Sequence, residues 1–225
     1  MKTLLSLAGL LIGAIAVVLP AIPAAAAQPT PGPAVSSAPS AYFAVNPTRV
    51  MDTRTGSGVV GAGNTLGPGA SFSLQVAPNA TAGVPATATA VVMNVTVTNT
   101  TAASYLTVYP TLASLPFASN LNWVAGYTVP NLVTVQPGSG GAVTFYNKFG
   151  SVDVIADIAG YYAPPSGSAG GEVGAGFPQR LVDTRTAGGT LGPAATATYQ
   201  VTGKAGVPAT GVSAVIVNAT VTNTT

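Results

Sequence analysis

Asp52 and Arg54 stand two residues apart, Asp183 and Arg185 repeat that spacing, and Asp153 and Asp157 lie four apart with Ile155 between them. In an extended strand, residues at i and i+2 share a face, so each of these sets would project from one side of a sheet. Three chemistries are open to them. Asp52, Asp153 and Asp157 could converge as a binding or metal site, or two carboxylates could flank a glycosidic bond as acid and base or nucleophile. Alternatively, Arg49 and Arg54 could neutralise the carboxylates in a structural network that Asp183 and Arg185 repeat. The network is the favoured reading, because a carboxylate in an apolar sheet must be paired or lie at an edge. Four residues of strand span about 13 Å, beyond the roughly 5 to 9.5 Å of glycosidase geometry, so Asp153 and Asp157 do not form such a pair by themselves. The chain has no His and no Cys, which removes Ser-His, Cys-His and His-metal mechanisms. Lys148 and Lys204 lack a Ser-x-x-Lys context. No catalytic residue, metal ligand or cofactor is assigned.

Gly56-Ser57-Gly58-Val59-Val60-Gly61 has the letters of a dinucleotide fingerprint, but the residues that follow, Ala62 to Pro68, read as loop rather than helix. A turn is expected there, since the fingerprint works by aiming a helix N-terminus at a pyrophosphate. Asn-x-Thr sequences begin at Asn79, Asn94, Asn99, Asn218 and Asn223; within strands they supply polar outward faces. Aromatic residues are the better ligand candidates. Tyr105, Tyr109, Tyr127 and Tyr146 could present rings to the faces of sugars, whereas Trp123, the single tryptophan, is expected in the core.

The elements that must position these residues come in two copies. Arg49 to Gly56 returns as Arg180 to Ala187, Leu66-Gly67-Pro68 as Leu191-Gly192-Pro193, and Gly83-Val84-Pro85-Ala86 as Gly206-Val207-Pro208-Ala209. Asn94 to Thr101 matches Asn218 to Thr225 with one change, Val95 to Ala219. The offset drifts from 131 to 123 and back to 124, as expected when loops vary between fixed strands. A period this long is one whole domain rather than a solenoid unit. The expected organisation is a signal peptide (1–27), a Pro/Ala/Ser-rich spacer (28–41), a complete module (42–163), a Gly/Ser-rich linker (164–176) and an incomplete second module (177–225).

Short β-branched runs separated by Gly, Pro and Asn indicate an all-β domain. Val91, Met93, Val95 and Val97 alternate with Asn94, Thr96 and Thr98, as a half-buried strand requires, and Val215, Val217, Ala219 and Val221 continue the pattern in the second copy. Further strands are expected at Arg49–Arg54, Ser71–Val76, Tyr105–Tyr109, Asn120–Val124, Asn131–Val135, Ala142–Tyr146 and Val152–Tyr161. Eight strands in roughly 120 residues predict an antiparallel β-sandwich, with a closed β-barrel as the alternative. Ala214 to Thr225 would then be a strand without neighbours, an edge able to pair with another copy.

Charge excludes some partners. Only 5% of residues are charged and the net charge is +2, so no basic patch is available for nucleic acid or an anionic membrane surface. Lys2 followed by the apolar Leu4 to Leu19 and the small residues Ala25-Ala26-Ala27 fits a secretory signal. Pro20 and Pro23 interrupt the apolar run short of the ~20 residues a membrane span needs, so no span is expected after cleavage.

Asp52 to Gly56, Val84 to Thr98, Tyr105 to Pro110, Ser119 to Asn122, Pro130 to Val135 and Val152 to Tyr162 form an ordered set of blocks. That order resembles a tandem β-module of secreted proteins from high-GC Gram-positive bacteria. The resemblance implies an accessory or surface repeat, sometimes beside a catalytic domain, and no catalytic residues. The expected function is a secreted, non-catalytic unit for cell-surface adhesion, spacing or envelope and glycan binding, with cell-wall or extracellular polysaccharide as the partner. The alternative is an accessory region of a secreted hydrolase whose catalytic domain lies further along. Signal cleavage sets a simple expectation: the exported protein begins at Gln28, which N-terminal mass spectrometry checks, and a retained Leu4 to Leu19 segment would contradict it.

Overall fold

The computed structural model describes residues 40–165 and 179–222. The expected signal peptide, residues 28–39 of the spacer, residues 166–176 of the linker and the last three residues lie outside the described residues. Eight strands form within 41–163: β1 (Ala41–Asp52), β2 (Ser71–Gln75), β3 (Ala90–Thr98), β4 (Ser104–Pro110), β5 (Leu121–Trp123), β6 (Val129–Val135), β7 (Ala142–Asn147) and β8 (Asp153–Ala163). They make two four-stranded antiparallel sheets, ordered β1-β8-β3-β6 and β2-β7-β4-β5. This is the expected all-β sandwich, and the barrel alternative is set aside because neither sheet closes.

The alternation in β3 does what its sequence dictates. Val91, Met93, Val95 and Val97 are fully buried, while Asn94 is exposed and Thr96 and Thr98 are half-buried on the other face. β8 lies between β1 and β3, with Val154, Ala156 and Ile158 in the core and Asp153, Ile155 and Asp157 on the opposite side. Phe145 of β7, Leu106 of β4 and Leu121 of β5 fill the core from the second sheet. Tyr42 crosses over Gly160, where a Cβ would come within 2.5 Å of the ring, so the strand needs glycine at that point.

β1 begins eight residues earlier than its sequence pattern indicates. The register shifts between Ala44 and Thr48, around Asn46-Pro47. That dipeptide reads as a turn, but on an edge strand a proline and an irregular pairing are tolerated because the outer side has no ladder to interrupt.

No strand of the first half pairs with another strand of the first half. β1 pairs with β8, β2 with β7, and β3 with both β6 and β8. The second copy shows the consequence. Residues 179–222, counterparts of β1 to β3, form no strand, and Val215, Val217 and Val221 are 40%, 63% and 87% exposed where Val91, Met93 and Val97 are at 0%. The strand expected at Ala214 to Thr225 is therefore corrected over residues 214–222. Its alternation is intact, but a strand needs ladder partners, and those come from later sequence.

The two halves are fastened at Asp153, which is 6% exposed. Its Oδ1 accepts from the Thr53 hydroxyl at 3.0 Å and the Thr65 hydroxyl at 2.7 Å, and its Oδ2 accepts from Asn99 Nδ2 at 2.8 Å. The Thr53 oxygen in turn accepts from the Val154 N–H at 2.8 Å. Asn99 adopts a φ of 52°, a left-handed conformation that asparagine tolerates better than most residues. Three side chains from two connections, Thr53 and Thr65 between β1 and β2 and Asn99 between β3 and β4, thus converge on the first residue of β8. Replacing Asp153 with Ala strands these donors and is expected to cost on the order of 3 kcal/mol in chemical denaturation, against about 1 kcal/mol or less for Asp157→Ala at a more exposed ion pair.

Candidate functional site

Arg54 grips Asp52 with Nε on Oδ1 at 2.9 Å and Nη2 on Oδ2 at 2.6 Å, and its backbone N–H donates to Oδ1 at 3.2 Å. Arg49 binds Asp157 through Nε at 2.8 Å and Nη2 at 3.2 Å, and its Nη1 reaches Asp52 at 3.5 Å. The expected charge network therefore forms around Asp52 and Asp157. Asp153 departs from it: hydroxyls and an amide hold it, with no arginine in its hydrogen-bond set. The Arg54 hydrogen bond keeps the Asp52 carboxyl below its ordinary range, and Arg49 and Arg54 are raised by their carboxylate partners.

Asp183 and Arg185 reproduce this clamp, with Nε–Oδ1 at 2.9 Å, Nη2–Oδ2 at 2.7 Å and the backbone N–H at 3.1 Å. Arg180 adds a contact to Asp183 at 2.5 Å. Arg185, first through its side chain, pulls the Asp183 pKa down. Because the clamp forms where no sheet does, the Asp-Thr-Arg sequence makes it locally, with the carboxylate turning back on the N–H two residues ahead.

Arg49 is shared between Asp52 and Asp157, while Asp153 spends its oxygens on Thr53, Thr65 and Asn99. Among the described residues, no three acidic, His or Cys side chains group as metal ligands. Every buried side-chain nitrogen and oxygen among them has a hydrogen-bond partner, so the interior holds no polar group aimed at an absent ligand. Gly56 to Gly63 forms turns, with Gly61 at a φ of 92° and its missing Cβ only 3.3 Å from Met51. No helix follows it.

The tyrosines divide. Tyr146 of β7 sits opposite Thr107 of β4, and Tyr109 sits opposite Thr144. Tyr105 and Tyr109 flank Thr107 at i−2 and i+2, so Tyr105, Tyr109 and Tyr146 share the outer face of the β2-β7-β4-β5 sheet. Diagonal neighbours of this kind are roughly 7–8 Å apart. All three are partly exposed. Hydroxyls are interspersed: Thr144 is bonded to Ser73 at 3.1 Å and to Thr111 at 2.9 Å, and Thr107 donates to the Ala118 carbonyl at 2.6 Å. These bonds fix the polar groups between the rings.

Tyr127 lies elsewhere, in the β5–β6 connection. With Asn122, Trp123, Val124 and Val129 it lines an open groove of about 430 Å³. Trp123 is core, as expected: it is 7% exposed and its Nε1–H donates to the Ala102 carbonyl at 3.0 Å. A second groove of about 400 Å³ is lined by Phe43, Tyr161, Pro85 and Pro164 among others, with the two rings stacked at 5.0 Å. Sequence reading misses this one, because only the register that sets Phe43 opposite Tyr161 brings residues from the two ends of the module together.

No family model and no curated protein matches the chain.

The depressed Asp52 pKa sets the sign of a pH dependence. A carboxyl held below its unfolded value stabilises the fold above about pH 4 and loses that contribution as pH falls through the lower folded value. Asp52→Asn is therefore expected to lower the thermal midpoint near neutrality, with the gap to the parent narrowing steadily below pH 4. A constant gap from pH 7 to pH 2 would contradict the assignment.

Proposed function

We propose that the chain is a secreted, non-catalytic repeat protein whose complete module binds cell-wall or extracellular polysaccharide as an adhesion or envelope-attachment unit. The observation that carries this reading is the shared outer face of Tyr105, Tyr109 and Tyr146, partly exposed around the buried Thr107 and Thr144, whose hydroxyls are bonded within the protein. Pyranose rings offer apolar C–H faces that lie against aromatic rings, while their hydroxyls exchange hydrogen bonds with side chains at the ring edges. A gently twisted sheet face suits an extended chain, which touches several weak positions along its length. The carboxylates are committed to ion pairs and structural hydrogen bonds, which favours binding over hydrolysis. The block order shared with tandem modules of secreted Gram-positive proteins and the signal-like N-terminus support the same reading.

Co-sedimentation of the protein with purified cell wall and with insoluble polysaccharides tests it. Saturable binding is expected, weakened about tenfold or more by the Tyr105→Ala, Tyr109→Ala pair, as loss of two stacking surfaces implies. Tyr127→Ala should leave it unchanged. Binding to none of these materials, or binding indifferent to the Tyr105/Tyr109 pair, would overturn the proposal.

A further inference from the structure

Lys148 stands directly beyond the tyrosine face. It follows Tyr146 by two residues, and its N–H donates to the Tyr105 carbonyl at 3.4 Å, which carries the β4–β7 pairing one step past Leu106 and Asn147. Paired residues lie about 5.5 Å apart across a ladder and residues at i and i+2 about 7 Å apart along a strand, so Lys148 neighbours both Tyr105 and Tyr146. Asn147 between Tyr146 and Lys148 is fully buried, whereas Tyr146 and Lys148 are half-buried. Period-2 geometry therefore puts the Lys148 side chain on the outward side, with the rings.

The charges of the module single this lysine out. Residues 40–165 contain three cations, Arg49, Arg54 and Lys148, and three anions, Asp52, Asp153 and Asp157. Arg49 and Arg54 are paired with Asp52 and Asp157, and Asp153 is held by hydroxyls and an amide. Lys148 has no carboxylate partner among the described residues; its Nζ lies 5.6 Å from the centre of the Phe149 ring. All three aspartates belong to strands of the β1-β8-β3-β6 sheet, so the strands of the tyrosine sheet carry no acidic residue. A ligand laid on this face meets one positive charge and no negative one.

Polar groups without partners gather at the same end. The phenol oxygens of Tyr105 and Tyr146 have no hydrogen-bond partner among the described residues, while the Thr107 and Thr144 hydroxyls are already bonded. Ser71 stands opposite Tyr146 and the exposed Asn122 opposite Tyr105. We propose that the ligand of this face is an acidic polysaccharide, with a carboxylate or phosphate of one sugar unit set against Lys148 while neighbouring units lie on Tyr105 and Tyr146. The inference rests on the polysaccharide reading of the tyrosine face and adds the charge of the ligand to it. An ammonium is a compact point charge that takes either anion, whereas a guanidinium fork favours planar, bidentate partners. A single exposed contact of this kind is weak and screened by salt, so it selects among polysaccharides and leaves most of the affinity to the rings.

Binding of the protein to three immobilised polymers tests this: a neutral glucan, a polyuronate and a sugar polymer bearing phosphate. At low salt the polymer carrying the right anion is expected to bind about three- to fivefold more tightly than the neutral one, and the advantage should shrink at about 0.5 M salt. The polyuronate and phosphate arms tell the two anions apart. Lys148→Gln should erase the advantage and leave neutral binding unchanged, and Lys148→Arg should keep most of it. Phe149→Leu, which removes the ring and keeps the cation, should keep it as well. Equal binding of neutral and acidic polymers, or an acidic preference that survives Lys148→Gln, overturns the inference; if the Tyr105→Ala, Tyr109→Ala pair still abolishes binding in that case, the polysaccharide reading stands without it. Binding to none of the three overturns both.

Discussion

Ladder pairing in this sandwich runs only between the halves of the module and within the second half. β1, β2 and β3 have no hydrogen-bonded neighbour among themselves, and each waits for a strand that appears at least 30 residues later in the sequence. Asp153 is the point at which this dependence is made specific. A single carboxylate at the start of β8 gathers Thr53 and Thr65 from the β1–β2 connection and Asn99 from the β3–β4 connection. Burying that charge without an arginine is tolerable because three donors replace the water it loses. A comparable arrangement on the other sheet uses an amide. Asn147, fully buried at the end of β7, donates to the carbonyls of Leu66, Gly67 and Gly150 and accepts from Ser104. Polar residues at strand ends therefore set the register, and the valine-rich faces supply the burial.

The contrast between the two copies separates local from non-local structure within one chain. The Asp-Thr-Arg clamp forms in both, because its donor and acceptor are two residues apart and need nothing else. The positive φ of Gly69 and that of its counterpart Ala194 likewise survive the absence of a sheet. The strands do not survive it. Val91 and Val215 occupy equivalent places in segments with the same apolar alternation, yet one is buried and the other exposed. Strand propensity and alternation are necessary conditions, and without ladder partners they bury no surface.

The candidate binding face depends on the same pairing. Tyr105 and Tyr109 are two strand residues on either side of Thr107, and their common direction follows from period-2 geometry. Tyr146 joins them only because β7 is laid against β4 with Thr107 opposite it. Tyr127 does not join them, since the β5–β6 connection carries it away from that sheet and beside Trp123. The face is rigid for the reason that its threonines are hydrogen-bonded within the protein, which leaves the tyrosine rings as its adaptable part.

Sequence alone determined the strands of the first copy to within their ends, the β-class, the presence of a repeat, the core position of Trp123 and the local Asp–Arg clamps. These properties depend on residue type and on spacings of a few residues, where backbone geometry leaves little choice. Tertiary structure decided which carboxylate is which. Asp153 and Asp157 both stand between apolar residues on one face of β8, but β1 brings Arg49 to Asp157 and the β1–β2 connection brings hydroxyls to Asp153. It also decided the strand order, the grouping of three tyrosines out of four, the Phe43–Tyr161 groove and the failure of the second copy to form strands. Each of these rests on contacts between residues far apart in the chain. Their outcome depends on which partner is present to complete a ladder, and a local pattern carries no record of that.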